Sequence, residues 1–144
     1  MSDLPTKDPQ SIAEKALLPR EPQRFTHRDF DRLLQHCASL DVSDLTLQTG
    51  MPAFSEIYGR LYPNTRRILN HSEVSTILNS IYGPNGTAQL LSGTDIDTHY
   101  ELKPDRITRY RYRVNATACL VDGHQGIQIT LRTIPTDPPT LDTM

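Results

Sequence analysis

A chain of 144 residues has the size of one domain and can bury a core, while a hydrophobic share of 36% and eleven prolines leave room for irregular segments. A net charge of −2 excludes a polyanion binder of the histone kind. No apolar run approaches the length that spans a membrane and no apolar secretion signal opens the chain, so a soluble cytoplasmic protein is the expectation.

Pro5, Pro9, Pro19 and Pro22, with charges scattered between them, predict a mobile arm over residues 1–24, holding a short helix that starts at Asp8-Pro9. Globular structure is expected from Phe25 onward. Thr26 with Asp29 has the spacing of a capping box, and Phe25 and Phe30 can staple its two sides. Phe30, Leu33, Leu34 and Cys37 then recur at helical spacing, which predicts an amphipathic helix from 27 to about 39. Residues 43–48 alternate like a half-buried strand that stops at Thr49-Gly50. A second strand runs from Phe54 to Tyr58 and turns at Gly59-Arg60 into a short third at Leu61-Tyr62. Asn70 with Glu73 opens another helix, carrying Val74, Ile77, Leu78 and Ile81 on one face until Gly83-Pro84 ends it.

A short helix over 87–91 leads to a strand over 95–102. A long strand from Arg106 to Val121 follows, then the turn Asp122-Gly123 and a last strand over 127–133. The proline-rich residues 136–144 read as a linker. The sum is an α+β fold: a mostly antiparallel sheet with helices on one face.

The chemistry concentrates in the long strand. Arg109, Arg111 and Arg113 alternate with Tyr110, Tyr112 and Val114, which gives one cationic and one apolar face. Arg132 arrives on the next strand. Guanidinium forks on a rigid strand suit a phosphate or a carboxylate. If the 95–102 strand hairpins with the arginine strand, coincident apolar faces lay Asp95, Asp97 and Glu101 beside the arginines. Such pairs can be a merely solvated sheet face that contributes little stability, or acids that hold arginines between contacts.

A metal site from Asp95, Asp97 and His99 is disfavoured, because one strand lays its residues in a row and the nearby arginines oppose a cation. Cys37 and Cys119 sit in apolar patterns and read as free thiols, with one disulfide between them as the alternative. Arginines and tyrosines fall on opposite faces, so direct nucleic-acid binding is not expected. No glycine is followed by lysine, so the chain shows no Walker A phosphate loop.

Three motifs occur in order: residues 43–52 (Ser-Asp-Leu-Thr-Leu-Gln-Thr-Gly-Met-Pro), residues 111–116 (Arg-Tyr-Arg-Val-Asn-Ala) and residues 131–135 (Leu-Arg-Thr-Ile-Pro). Together they resemble the N-terminal domain of PilT-like secretion and pilus-retraction ATPases, in the DotB/TraJ-type branch of Dot/Icm secretion and plasmid conjugation. The resemblance covers residues 25–135 and implies a PAS-like module, joined by residues 136–144 to a RecA-like domain that carries the Walker motifs. It implies a homohexamer working at the cytoplasmic side of an inner-membrane secretion complex, with ATP and Mg as cofactors of the full-length protein. By motif, Arg113 and Arg132, then Arg111, are the candidates to touch the nucleotide as arginine fingers. Which of them reaches the phosphate is left open.

Two departures stand out. Thr46 occupies a position where the family often has histidine. His124-Gln125 stand in the final hairpin loop where it often has arginine, and that loop, 122–126, reads as enlarged. A stand-alone PAS-like sensor or interaction module is the alternative reading.

Overall fold

The structure, a computed structural model, describes residues 8–135. Its elements follow from local rules. Helix α1 (Pro9–Ala16) starts at proline, and the Asp8 carboxylate accepts the Ser11 N–H at 3.1 Å. Helix α2 (His27–Ala38) opens with the capping box: Thr26 and Asp29 exchange hydrogen bonds, and Phe25 and Phe30 lie buried on either side. Helix α3 (His71–Tyr82) has the same device in Asn70 and Glu73, and Gly83 (φ 138°) stops it. Helix α4 (Gly86–Leu91) follows at once.

Six strands build one sheet: β1 (Val42–Gln48), β2 (Phe54–Ile57), β3 (Arg60–Pro63), β4 (Ile96–Leu102), β5 (Tyr110–Val121) and β6 (His124–Ile134). Their order is β3-β2-β1-β6-β5-β4, with every neighbouring pair antiparallel. Helices α3 and α4 carry the chain from one edge of the sheet to the other. Period-two alternation turns Leu45, Leu47, Ile96, Tyr112, Val114, Ile127, Ile129 and Leu131 inward against Phe30, Leu33, Leu34, Ile77 and Leu78. The helices therefore cover one face, and the other face is left to Arg111, Arg113 and Arg132. This is the expected α+β architecture.

Both tight hairpins have two central residues at positive φ, Tyr58-Gly59 (50°, 82°) and Asp122-Gly123 (51°, 80°), the primed geometry that matches strand twist. The second turn corrects the sequence reading, since residues 122–126 form no enlarged loop. Strand β6 already starts at His124. Gly126 hid this, because it interrupts the apolar alternation. A Cβ there would lie 3.0 Å from both Thr49 Cβ and Val121 Cγ2, so the missing side chain is what lets the strands close.

Strand β5 likewise begins later than Arg106. The Asp105 carboxylate accepts the N–H groups of Ile107 (2.8 Å) and Thr108 (2.7 Å) and the Thr108 hydroxyl (3.0 Å), which turns residues 105–108 out of the strand path.

The mobile arm also needs correction for residues 8–24; residues 1–7 lie outside the described residues. Ile12 and Ala16 are buried against Ile57 and Tyr62, and Leu18 joins the main core. The Leu18 N–H donates to the Asn64 carbonyl (2.8 Å), and the Asn64 side chain donates to the Ala16 carbonyl (2.8 Å). Glu21 accepts the backbone N–H groups of Arg66 (2.7 Å) and Arg67 (3.1 Å) and pairs with the Arg66 guanidinium. The prolines direct the chain between these anchor points. All the partners are more than forty residues away, where local sequence cannot reveal them. The expected linker, residues 136–144, also lies outside the described residues.

A buried charge joins the two capping boxes. Glu73, 5% exposed, accepts the N–H groups of Asn70 (3.0 Å) and Phe25 (2.8 Å) and meets Arg67 Nη1 at 2.7 Å. Burial alone would raise its carboxyl pKa. The two N–H donors and the guanidinium outweigh burial and hold it below the ordinary 4.5.

Candidate functional site

The open face of the sheet carries the arginines, and the register decides who their neighbours are. Arg113 on β5 stands directly opposite Arg132 on β6, so the face that the sequence left undecided is the same for both. Like charges opposite one another are unfavourable, and the row corrects this with acids on the two flanking strands. On β1, Asp44 is the cross-strand partner of Arg132 and meets its Nε at 3.1 Å. On β4, Asp97 receives Arg113 Nη2 at 3.1 Å and Nε at 3.5 Å, a side-on fork. Arg111 faces Glu101 across the ladder, Nε to Oε2 at 3.4 Å, and Lys103 closes on the same carboxylate at 3.7 Å. Across the sheet the charges run acid, Arg113, Arg132, acid.

The expected β4–β5 register is therefore present. Asp97 and Glu101 do stand beside the arginines, while Asp95 accepts the Thr117 hydroxyl at 2.9 Å. The hydrogen bond from Arg113 holds the Asp97 carboxyl below its ordinary range, and Asp97 in turn raises the guanidinium pKa. These pairs sit in water: the side chains of Arg111, Arg113 and Arg132 are 60%, 59% and 73% exposed. Exposed pairs of this kind contribute little to stability and exchange readily for another anion. The arrangement can grip a phosphate or carboxylate without unfolding anything.

The row also lies where the chain leaves the sheet. Arg111 is the register partner of Ile134, and Arg132 is two residues before it. A depression of about 500 Å³ opens there, lined by His99, Glu101, Arg111 and Ile134 among others. Arg109 and Arg106 fall before the strand and outside the ladder. Thr46 is buried on the same face as the row. Asp44 was missed as an arginine partner, although its place in the alternation of residues 43–48 already put it on the outer face.

Both cysteines are free thiols; burial pushes Cys37 up to about 12 and also raises partly exposed Cys119, so neither is a ready nucleophile. Among the described residues no three His, Cys, Asp or Glu side chains converge as metal donors, and no helix is long and apolar enough to cross a membrane.

No protein-family model matches the chain, and neither does any curated protein sequence. Solved structures do. The ATPase DotB of Legionella pneumophila is 64% identical over 89% of this chain and 35% of its own, with a TM-score of 0.83. DotB of Yersinia pseudotuberculosis is 28% identical over 86% of this chain and 34% of its own, with a TM-score of 0.75. The pilus retraction motor PilT, solved with bound ADP, shares the fold at a TM-score of 0.54 and 18% identity, over 79% of this chain and 31% of its own. The chain thus spans about a third of the length of the structures it matches. With its strand motifs, its antiparallel sheet and this likeness taken together, the chain matches the N-terminal domain of a PilT-like, DotB-type secretion ATPase.

Proposed function

We propose that this domain is the regulatory and assembly module of a homohexameric ATPase that powers type IV secretion of the Dot/Icm or conjugative kind. Its arginine row would contact the nucleotide held by a RecA-like domain. One observation carries this reading: Arg113 and Arg132 stand side by side, more than half exposed, where the chain leaves the sheet. A pair of forks fits the distributed charge of a transferring phosphoryl group. The row suits the anion and offers no donor set for its Mg, which would travel with ATP on the RecA-like domain. The protein would work in the cytoplasm, docked peripherally on an inner-membrane complex.

The test uses the protein that continues into its RecA-like domain. Arg113→Ala and Arg132→Ala, made singly, should each cut ATP hydrolysis by about 100-fold or more, with the larger loss marking the arginine nearer the phosphate. Wild-type turnover from both would remove the proposal.

A second reading has its own observation. A cavity of about 210 Å³ lies between α2 and the sheet, lined by Leu34, Cys37, Leu45, Tyr112 and Leu131 among others, where a PAS-like sensor would hold a ligand. It is smaller than most small-molecule sites, which start near ~300 Å³. A metabolite retained in native mass spectra would support this reading, and bare protein would dismiss it.

A further inference from the structure

On the far side of α2 from the sheet, residues 18–22 form a strap along the helix. Between strap and helix lies a groove of about 610 Å³, lined by Leu18, Pro19, Pro22, Arg20, Arg32 and His36 among others. Its acids are committed elsewhere. The Asp29 carboxylate accepts the Thr26 N–H (2.9 Å) and hydroxyl (2.8 Å) in the capping box, and Glu21 is taken by Arg66 and Arg67. His36 Nε2 lies 2.9 Å from the Lys15 carbonyl.

The cations are left over. Arg20 and Arg32 are exposed, and among the described residues neither has a carboxylate within ion-pair distance. Arg28 and Arg32 also form an exposed stripe at i, i+4 on α2. Like charges at that spacing weaken a helix, so the stripe gains nothing for the fold. The groove thus sets two exposed arginines without an ion-pair partner over an apolar floor, with Asp29, which keeps its charge in the capping box, at its edge.

We propose that this groove docks an acidic segment of a partner protein, with carboxylates on Arg20 and Arg32 and an aliphatic side chain between Leu18, Pro19 and Pro22. A phosphate ligand fits less well. Pro19 and Pro22 have no N–H, so the strap offers few backbone donors to cradle phosphate oxygens, and the apolar wall would go unused. Gln35, also on the groove, can meet a peptide backbone in both directions. The surface is separate from the arginine row, and its test does not depend on nucleotide.

The experiment is a fluorescence anisotropy titration of the 144-residue chain with a labelled peptide of alternating Glu and Leu, at near-physiological ionic strength. Wild type should bind saturably. R20E/R32E should weaken binding about tenfold or more, with R20Q/R32Q intermediate, while R106E, a charge reversal in a distant loop, should bind like wild type. Thermal unfolding of each variant confirms an intact fold, since both groove arginines are exposed. Absence of saturable binding, or equal loss in R106E, would overturn the proposal. Displacement of the peptide by inorganic tripolyphosphate at the concentration that unlabelled peptide requires would also overturn it, by making the groove a phosphate site.

Discussion

Two ion pairs in this domain use the same two chemical groups and do different things. Arg67 meets Glu73 at 2.7 Å and Arg113 meets Asp97 at 3.1 Å. Glu73 is 5% exposed and also ties the first turns of α2 and α3 through the Phe25 and Asn70 N–H groups. Asp97, 55% exposed, pairs with Arg113 on an open sheet face. Removing one member of the buried pair strands a charge in the core, whereas removing one member of the exposed pair returns the other to water. Distance alone therefore says nothing about which pair holds the fold. The exposed row can exchange partners, because pairs of this kind contribute little to the fold.

The largest effect on stability should come from Glu73→Gln. It keeps the volume but leaves Arg67 without its counter-ion and sets an amide against two N–H donors. We expect a loss of about 3 kcal/mol in urea unfolding, and a loss under about 1 kcal/mol would show the pair to be as dispensable as the exposed ones. A smaller change should follow acidification. The folded Glu73 carboxyl lies below its ordinary 4.5, so its contribution is complete above that pH and is lost as pH falls through 4.5 toward the folded value. Wild type should lose stability between about pH 6 and pH 3 more steeply than Glu73→Gln, and parallel curves would break the assignment.

Tyr100→Phe sits between the extremes. Its half-buried hydroxyl donates to Asp31 at 2.6 Å and lies 3.2 Å from His27 Nε2, and the change should reduce unfolding free energy by about 1 kcal/mol. An unchanged urea midpoint would place this contact with the exposed pairs. Asp97→Asn should have the smallest effect, leaving the midpoint unchanged within error. A clear drop there would erase the contrast from which the comparison starts.

The sequence showed most of what is local. Capping boxes at Thr26/Asp29 and Asn70/Glu73 are three-residue patterns, and the positive-φ turns end in glycine. The parity of residues 109–115 gave the arginine face outright. What stayed hidden depends on distant partners or on absent side chains. Nothing near Pro19 and Pro22 indicates that Glu21 will bind Arg66 and Arg67, so residues 8–24 read as an arm. Gly126 broke the alternation that would have extended β6 back to His124. The row itself was half legible: Arg113 and Arg132 were named, but their adjacency needed the tight Asp122-Gly123 turn. Asp44, the partner of Arg132, became visible only once β1 was seen to pair with β6.

The most direct test of the account is one pair of readings on Arg113→Ala/Arg132→Ala in the protein carrying its RecA-like domain: urea unfolding of this domain, and ATP hydrolysis. The account predicts an unchanged unfolding midpoint together with hydrolysis reduced about 1,000-fold. A lowered midpoint with hydrolysis falling only in proportion to unfolded protein would show that the arginine row belongs to the fold and not to the nucleotide.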